Sequence, residues 1–262
     1  MITIKSRKEF EKMAVAGQTV AVVLSTVKQA AVPGVSLQEL DLIAAEVIRS
    51  RGCTPSFLGY HGYPASICTS PNNVIVHGIP SDYRLVEGDV LSVDAGAIFE
   101  GFHGDAAITF AIGEVPAETQ LLIDTTERAL VAGIAQVRAG ARLGDIGHAV
   151  ETEARRRGFG VVREYVGHGI GRQMHEDPQV PNYGKPGTGT KLRKGMAICI
   201  EPMFNLGGHE TLVEPDGWTV VTADASLSAH FEHTIAITDR GPRVMTLLSA
   251  SEDDLAVAPT NG

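Results

Sequence analysis

The amino-acid sequence predicts a mixed α/β fold made of two similar halves, and three observations carry this prediction. A glycine turn, an apolar strand and a carboxylate follow one another twice, in LVEGDVLSVD at residues 85–94 and in LRKGMAICIE at residues 192–201. Two apolar runs flank Glu100-Gly101, which is typical of a β-hairpin. A similar helix pattern precedes each carboxylate segment at a constant offset of 106, because Gly34, Leu37, Leu40, Arg49, Arg51 and Gly52 recur as Gly140, Leu143, Ile146, Arg155, Arg157 and Gly158.

A fixed long offset of this kind is typical of an internal structural repeat. We therefore expect one compact domain over residues 1–248, with related halves at about 1–113 and 114–248. The remaining residues, 249–262, are small, polar and acidic, and we expect them to form a flexible tail.

Capping patterns and apolar periodicity predict four helices. Ser6 with Glu9 and Ser36 with Glu39 both have capping-box spacing, in which the two side chains satisfy backbone N–H groups reciprocally. Val32-Pro33-Gly34 is expected to end the first helix, and proline begins the third. The predicted helices cover residues 7–31, 37–52, 116–137 and 143–157.

Strands are expected between and after these helices. Residues 53–88 are rich in Gly, Pro, Ser and aromatic rings, and this stretch is loop-like around two short strand candidates. A Gly-rich and Pro-rich passage runs to about residue 194 before the second carboxylate strand. The predicted strands cover residues 65–69, 74–77, 90–98, 102–112, 161–166 and 229–238, and a further strand follows the glycine turn within residues 192–201.

The hairpin turn decides which faces its two aspartates occupy. If the turn is centred on Glu100-Gly101, Asp105 lies opposite Gly96, diagonal to Asp94 and on the same face. A two-residue turn centred one position earlier would place Asp94 and Asp105 directly opposite each other. A one-residue bulge or a three-residue loop would separate their faces.

Composition and charge exclude several classes of protein. The 262 residues are 44% hydrophobic and 20% charged, with a net charge of −9 and no basic stripe, which argues against a dedicated nucleic-acid site. Three cysteines without close spacing favour a reducing cytoplasm. The apolar stretch 14–24 is interrupted by Gln18 and Thr19 and is too short to span a bilayer, so we predict an amphipathic helix and no membrane contact.

The repeat pairs four carboxylates. Asp94 corresponds to Glu201, and Asp105 in DAAIT corresponds to Glu232 in EHTIA. Four carboxylates on the inner face of a sheet would repel one another strongly unless cations neutralise them. Oxygen ligands with one or two imidazoles suit Mn, Fe, Co or Zn, and two such ions roughly 3.5–4 Å apart form a hydrolytic site.

An imidazole ligand is expected from residues 165–183, YVGHGIGRQMHEDPQVPNY. Gly167, Gly169 and Gly171 let the backbone approach its neighbours closely, as a crowded ligand wall requires. His168 and His175 would then flank one cavity. Taken alone, His168 would equally fit a core histidine.

These residues lie in motifs that resemble the bacterial-type (type I) methionine aminopeptidases. The motifs run in register from about Ser6 to Leu247: VHGIP at 76, GFHGDAAITF at 101, the histidine passage at 165, IEPM at 200, GWTV at 217 and FEHT at 231. The resemblance implies the pita-bread fold, an α/β (α+β) architecture of two pseudo-symmetric halves whose antiparallel sheet is covered by helices. It also implies removal of the initiator methionine from nascent proteins by a water activated by two divalent ions, with a small second residue preferred.

Carried over to this sequence, the resemblance implies specific roles. Asp105 and Glu232 would bridge the two ions, while His168 and Glu201 hold one ion and Asp94 the other. Glu201 would also carry the proton from the attacking water to the leaving amine. The remaining predicted catalytic residues, which would contact the substrate and stabilise the tetrahedral intermediate, are His77 and His175.

The resemblance further implies a pocket for the methionine side chain. Phe57 stands where the family often has Cys, and Met174 stands where it often has Phe. Both departures keep the wall apolar and change its shape, so selectivity for methionine should survive while inhibitor preference changes. The substrate-binding residues are expected to be Phe57, Tyr60, Tyr63, Cys68, His77, Met174, His175 and Trp218.

Two alternative functions follow from the same fold: an Xaa-Pro aminopeptidase or dipeptidase, which generally carries an additional N-terminal domain, and a binding module without catalysis. The expected partners are nascent polypeptide N-termini and the ribosome, contacted through the domain's own surface, and we expect a monomer. Sequence does not identify the metal. Six other histidines are expected to be structural or solvent-facing, with His103 and His233 next to the site: His61, His103, His148, His209, His230 and His233.

Overall fold

The structure is a computed structural model and describes residues 1–248; the predicted tail at 249–262 lies outside the described residues. The helices are α1 (Arg7–Ala30), α2 (Leu37–Ser50), α3 (Ala117–Ile134) and α4 (Leu143–Arg155), with a short 3₁₀ helix at Tyr60–Gly62. The strands are β1 (Thr54–Pro55), β2 (Ile67–Pro71), β3 (Val74–Val76), β4 (Val90–Phe99), β5 (Phe102–Ala111), β6 (Gly160–Val161), β7 (Gly167–Gly169), β8 (Glu176–Val180), β9 (Ala197–Ile200), β10 (Met203–Asn205), β11 (Thr211–Val213), β12 (Val220–Thr222), β13 (Ser228–His230), β14 (Glu232–Thr238) and β15 (Gly241–Val244).

The predicted capping boxes of α1 and α2 are confirmed. Ser36 Oγ accepts a hydrogen bond from the Glu39 N–H at 3.2 Å, and Glu39 Oε2 accepts one from the Ser36 N–H at 2.7 Å. Ser6 and Glu9 make the same reciprocal pair. The first residues of α2 and α4 are 106 positions apart, as the repeat predicts.

Helices cover one side of a nine-stranded antiparallel sheet. Its main path is β1-β4-β5-β14-β9-β7-β8, with β2 added on β4 and β15 on β14. One apolar core lies between α1, α2 and the first half of the sheet, and a second lies between α3, α4 and the second half. The two halves meet where β5 pairs with β14, so both belong to one sheet. The predicted fold class is confirmed.

The β4–β5 hairpin settles the alternatives left open by the sequence. Gly96 pairs with Asp105, and Asp94 pairs with Ala107, so the turn is centred on Glu100-Gly101. Both turn residues have positive φ, 47° and 77°, as a two-residue turn of this type requires. Asp94 and Asp105 therefore share one face of the sheet.

Three predicted strands differ from the observed ones. The strand expected at 161–166 is wrong, because β6 ends at Val161. The strand expected at 229–238 is divided into β13 and β14, since Phe231 N–H donates to Pro202 O and the chain crosses between sheets there. The second carboxylate strand, β9, ends one residue before Glu201.

The Gly-rich passage contains two strands that the sequence did not predict, β7 and β8. Its glycines are needed for close packing. A Cβ at Gly167 would lie 2.3 Å from Cys199 O, and one at Gly169 would lie 2.1 Å from Asp177 O. Neighbouring backbones therefore approach this strand closely enough to exclude any side chain at those positions.

Helix α1 packs closely against β5 where Gly104 meets the backbone of Gly17. A Cβ at Gly104 would lie 2.6 Å from the backbone nitrogen of Gly17. This contact lies one residue before Asp105, so the helix supports the strand at the carboxylate. Among residues 1–248, none of the helices has the length and apolar character needed to cross a bilayer.

Candidate metal centre

Backbone pairing brings the carboxylates together on one face of the sheet. Asp94 pairs with Ala107 in β5, and Ala107 pairs in turn with Glu232 in β14. Glu201 directly follows β9, whose last residue pairs with the residue after Glu232. Asp105 lies two residues before Ala107 and so points to the same side. Four strands thus deliver four carboxylates to one place.

His168 in β7 supplies an imidazole to this group. Its Nε2 is 3.6 Å from Glu201 Oε1 and 3.8 Å from Asp105 Oδ2. Its Nδ1 lies 2.9 Å from Gly169 O, so Nδ1–H donates to that carbonyl and the Nε2 lone pair faces the carboxylates. Burial, and then the neighbouring His175, lower the pKa of His168 to about 3, which keeps it neutral as a ligand must be.

The carboxylates are held in an environment that disfavours their charge. Burial raises the pKa of Asp94, Asp105, Glu201 and Glu232. Mutual repulsion raises the pKa further for three of them: Glu232 acts on Asp105, Asp105 acts on Glu201, and Glu201 acts on Glu232. Burying this many acidic groups together is unfavourable unless a cation accompanies them.

The oxygen atoms that face the cavity fit a metal ion. Within residues 1–248, one buried oxygen of each carboxylate has no hydrogen-bond partner: Asp94 Oδ1, Asp105 Oδ1, Glu201 Oε1 and Glu232 Oε1. Donor atoms of Asp105, His168 and Glu232 lie within 4.8 Å of one another. Carboxylate oxygens with one imidazole nitrogen are a suitable donor set for first-row divalent ions. The residues present therefore fit the metal site that the sequence predicts.

Two residues near this group were missed by the sequence reasoning. Cys199 shares the first donor cluster, with its Sγ 3.6 Å from Thr234 Oγ1. Burial raises the pKa of the Cys199 thiol well above its usual range, and Glu232 raises it further, so it is protonated. His230 shares a second cluster with Glu201 and Glu232. Strand alternation was the available signal, because each residue lies two positions before a predicted ligand.

All predicted site residues surround one cavity of about 120 Å³. The carboxylates and His168 form one end of it, and aromatic and sulfur-containing side chains form the other. The lining residues are Phe57, Tyr60, Tyr63, Cys68, His77, Asp94, Asp105, His168, Met174, His175, Glu201, Trp218 and Glu232.

The apolar end of the cavity is a small packed cluster. Tyr63 contacts Phe57 and Trp218 edge to face, with ring centroids 6.4 and 5.1 Å apart. Its hydroxyl donates to backbone carbonyls, including Gly78 O at 2.9 Å, so the ring presents an apolar surface. Burial raises the pKa of Cys68 well above its usual range, which keeps the thiol neutral. The cluster suits an apolar side chain.

Two histidines border the cavity between its two ends. His77 follows β3 with a φ of 60°. Residues other than glycine seldom adopt this left-handed backbone conformation, and those that do are often at functional positions. Burial, and then His175, lower the pKa of His77 to about 4. The His175 ring lies 4.2 Å from the His168 ring, and its Nδ1 shares a 2.8 Å hydrogen bond with the Tyr60 hydroxyl.

The other histidines divide as expected, apart from His230. His103 Nδ1 shares a 2.9 Å hydrogen bond with Ser56 Oγ, and His233 Nδ1 shares one of 2.8 Å with Thr246 Oγ1. His61 and His148 are exposed. His230 is buried, and its Nε2 lies 3.9 Å from Glu201 Oε2.

Comparisons with known proteins show similarity over most of the chain. The model of metallopeptidase family M24 matches residues 11–239. The chain is 50% identical over 248 residues to the methionine aminopeptidase of Clostridium acetobutylicum, covering 94% of this chain and 99% of that protein. It is 52% identical over 250 residues to methionine aminopeptidase 1 of Mycobacterium tuberculosis, covering 93% and 94% of the two chains.

Solved structures show the same likeness. The crystal structure of methionine aminopeptidase from Thermotoga maritima matches with a TM-score of 0.93 and 45% identity, covering 94% of this chain and all of the other, 100%. Prolidase from Pyrococcus furiosus matches with a TM-score of 0.75 at 20% identity, over 93% of this chain and 65% of the prolidase. The second match shows a shared fold alone.

Proposed function

The chain belongs to metallopeptidase family M24 and, within it, to the bacterial type I methionine aminopeptidases, and on that premise we propose that the residues around the cavity form its active site. The fold is the pita-bread fold, and the activity is metal-dependent removal of the initiator methionine. The observation that carries the site assignment is the set of four buried carboxylates, each with an unpaired oxygen, beside an apolar pocket.

In this proposal two divalent ions, of Co, Mn, Fe or Zn, bind at the carboxylate end. Asp94, Asp105, His168, Glu201 and Glu232 would hold the ions, and Asp105 and Glu232 would be shared between the two. When bound, the ions supply Lewis acidity and lower the pKa of water. Glu201 would accept the proton of the attacking water and pass it to the leaving amine.

The apolar end would receive the methionine side chain. Phe57, Tyr63, Cys68 and Met174 are buried around it, and Tyr60 and Trp218 partly cover it. His77 and His175 would donate hydrogen bonds to the scissile carbonyl, where negative charge develops in the tetrahedral intermediate. The small cavity supports a preference for a small second residue.

We also propose that residues 1–248 form a single domain, since the β5–β14 pairing joins the halves in one sheet. One chain carries the whole ligand set, which supports a monomer. The free thiols of all three cysteines support a cytoplasmic enzyme that acts on nascent N-termini, with the ribosome as a candidate partner. Neither alternative function is favoured, because the prolidase likeness is one of fold and five suitable ligands face one cavity.

The direct test compares two peptides on metal-loaded protein. We expect methionine to be released from Met-Ala-Ser and no cleavage of Ala-Pro-Ala. The reverse result would favour an Xaa-Pro aminopeptidase. Loss of both activities in a folded, metal-loaded protein would favour a binding module.

The ligand assignment is tested by Asp105→Ala. We expect this variant to lose one or both ions and at least about 10³-fold in kcat/KM, because the bridging carboxylate contacts both. Asp89→Asn is the control, since Asp89 is equally buried but its oxygens accept hydrogen bonds from Tyr83 and Asn72. Metal content by elemental analysis and turnover measure both variants. Full metal content and turnover in Asp105→Ala would refute the assignment.

A further inference from the structure

His230 directs its imidazole at one of the proposed metal ligands from outside the ligand set. Its Nε2 lies 3.9 Å from Glu201 Oε2, and its side chain is 2% exposed. Within residues 1–248, this buried Nε2 has no hydrogen-bond partner. A buried polar atom without a partner is rare in folded proteins and calls for an explanation.

The two carboxylate oxygens of Glu201 face two different imidazoles. Oε1 lies 3.6 Å from His168 Nε2, on the side of the ligand set. Oε2 lies toward His230 instead. Ligating carboxylates are normally oriented by a hydrogen bond from a residue that does not itself bind the metal. His230 stands in the place of such a residue.

The backbone of His230 is fixed independently of Glu201. Its N–H donates to Thr109 Oγ1 at 2.9 Å, and the Thr109 hydroxyl donates to His230 O at 2.6 Å. In addition, His230 pairs with Met203 in β10. The imidazole is therefore attached to a rigid backbone, as precise orientation of the Glu201 carboxylate requires.

We propose that His230 is a positioning residue that donates its Nε2–H to Glu201 Oε2 and so holds Oε1 toward His168 and the metal. A distance of 3.9 Å is longer than a hydrogen bond. Rotation about the terminal torsion of Glu201, which is soft in glutamate, brings Oε2 within reach. The inference rests on the proposed metal centre and adds a residue to it.

The test measures metal binding in two variants. His230→Leu removes the donor, whereas His230→Gln keeps an N–H at a similar distance from the backbone. Titration calorimetry of metal-free protein with Co²⁺ should show about 10–100-fold weaker binding for His230→Leu. His230→Gln should stay within about threefold of the wild type, since its amide can donate the same hydrogen bond. The visible absorption bands of bound Co²⁺ should change in the leucine variant alone.

His233→Leu is the matched control, because it removes the neighbouring imidazole, which is bonded to Thr246 instead. We expect it to lower the melting temperature and to leave the Co²⁺ affinity and spectrum unchanged. If His230→Leu does not fold, His230→Asn replaces it, since asparagine is too short to reach Oε2.

Unchanged Co²⁺ affinity in folded His230→Leu would overturn the proposal. Equal losses in His230→Gln and His230→Leu would also overturn it, because they would mean direct ligation or packing by the imidazole. Failure of the wild type to bind Co²⁺ or to release methionine would refute the proposed function instead. The two ideas can therefore fail separately.

Discussion

The orientation of single site residues is set by the backbone and hydrogen bonds around them. His168 illustrates the point, because its Nδ1 is committed to Gly169 O and its Nε2 is therefore free to face Glu201 and Asp105. His77 is aimed by an unusual φ of 60°. The sequence identifies the side chain at each such position. The direction in which that side chain points depends on backbone geometry that the sequence does not show.

Tyr60 should act on the reaction through His175. Its hydroxyl shares a 2.8 Å hydrogen bond with His175 Nδ1, which orients the ring. We expect Tyr60→Phe to lower kcat/KM about fivefold, the equivalent of one neutral hydrogen bond worth about 1 kcal/mol. Steady-state kinetics on Met-Ala-Ser measures this, and Tyr83→Phe, whose hydroxyl bonds to Asp89 instead, is the control. Equal kinetics for both variants would show that Tyr60 does not orient His175.

The candidate site was largely readable from residues, with two omissions that have a physical reason. Asp94, Asp105, Glu201 and Glu232 follow from the repeat, and their convergence follows from strand pairing. Cys199 and His230 each lie two positions before a predicted ligand, so strand alternation places them on the site's side, but it does not show that their donor atoms come within 4.8 Å of predicted ligands. The chemical roles of the site residues remain predictions.

At the scale of elements, local chemistry predicted helices better than strands. Helices α1 and α2 begin where their capping boxes place them, α3 begins directly after Pro116, and α4 begins where the repeat places it. Strands β7 and β8 have no such signature, because their glycines are required by the neighbouring backbone and not by a turn. When a strand is packed closely against backbone that is distant in sequence, the residues around that strand carry no pattern that predicts the packing.

The contact between α1 and β5 should be sensitive to a single methyl group. A Cβ on Gly104 would lie 2.6 Å from Gly17 N, so Gly104→Ala must push the helix off the strand. We expect a loss of about 1–3 kcal/mol in the free energy of unfolding, as overpacking commonly causes. Urea denaturation of metal-free protein measures it.

Gly133→Ala serves as the comparison for that experiment. Its Cβ would meet the Val150 side chain at 3.0 Å, and a side chain can shift where backbone cannot. Alanine is also the better residue inside a helix such as α3. A Gly104→Ala variant as stable as Gly133→Ala would contradict the close packing described for α1 and β5.

For the whole molecule, the buried carboxylates make metal-free stability depend on pH. Burial raises the pKa of Asp94 and Asp105 above their ordinary 3.8, and that of Glu201 and Glu232 above 4.5. The unfolded chain therefore holds fewer protons than the folded chain at neutral pH. Metal-free protein must lose stability as pH rises through the folded pKa values.

We expect the melting temperature of metal-free protein to fall between about pH 7 and pH 9, where histidines with an ordinary pKa are neutral. The buried imidazoles of His77, His168 and His230, whose pKa values are lowered, are also neutral there. Metal-loaded protein should not show this fall, because ionised carboxylates bind the ions. Scanning calorimetry with and without Co²⁺ measures both curves, and parallel curves would contradict the expectation.

The pairing of β5 with β14 also bears on the origin of the chain. These strands correspond to each other in the repeat, and Ala107 with Glu232 mirrors the contact of Asp105 with Thr234. The two contacts exchange equivalent positions of the two strands. Two copies of one strand would pair in the same way across the two-fold axis of a symmetric dimer. The junction is what duplication and fusion of an ancestral homodimer would leave, with carboxylates contributed by both former subunits.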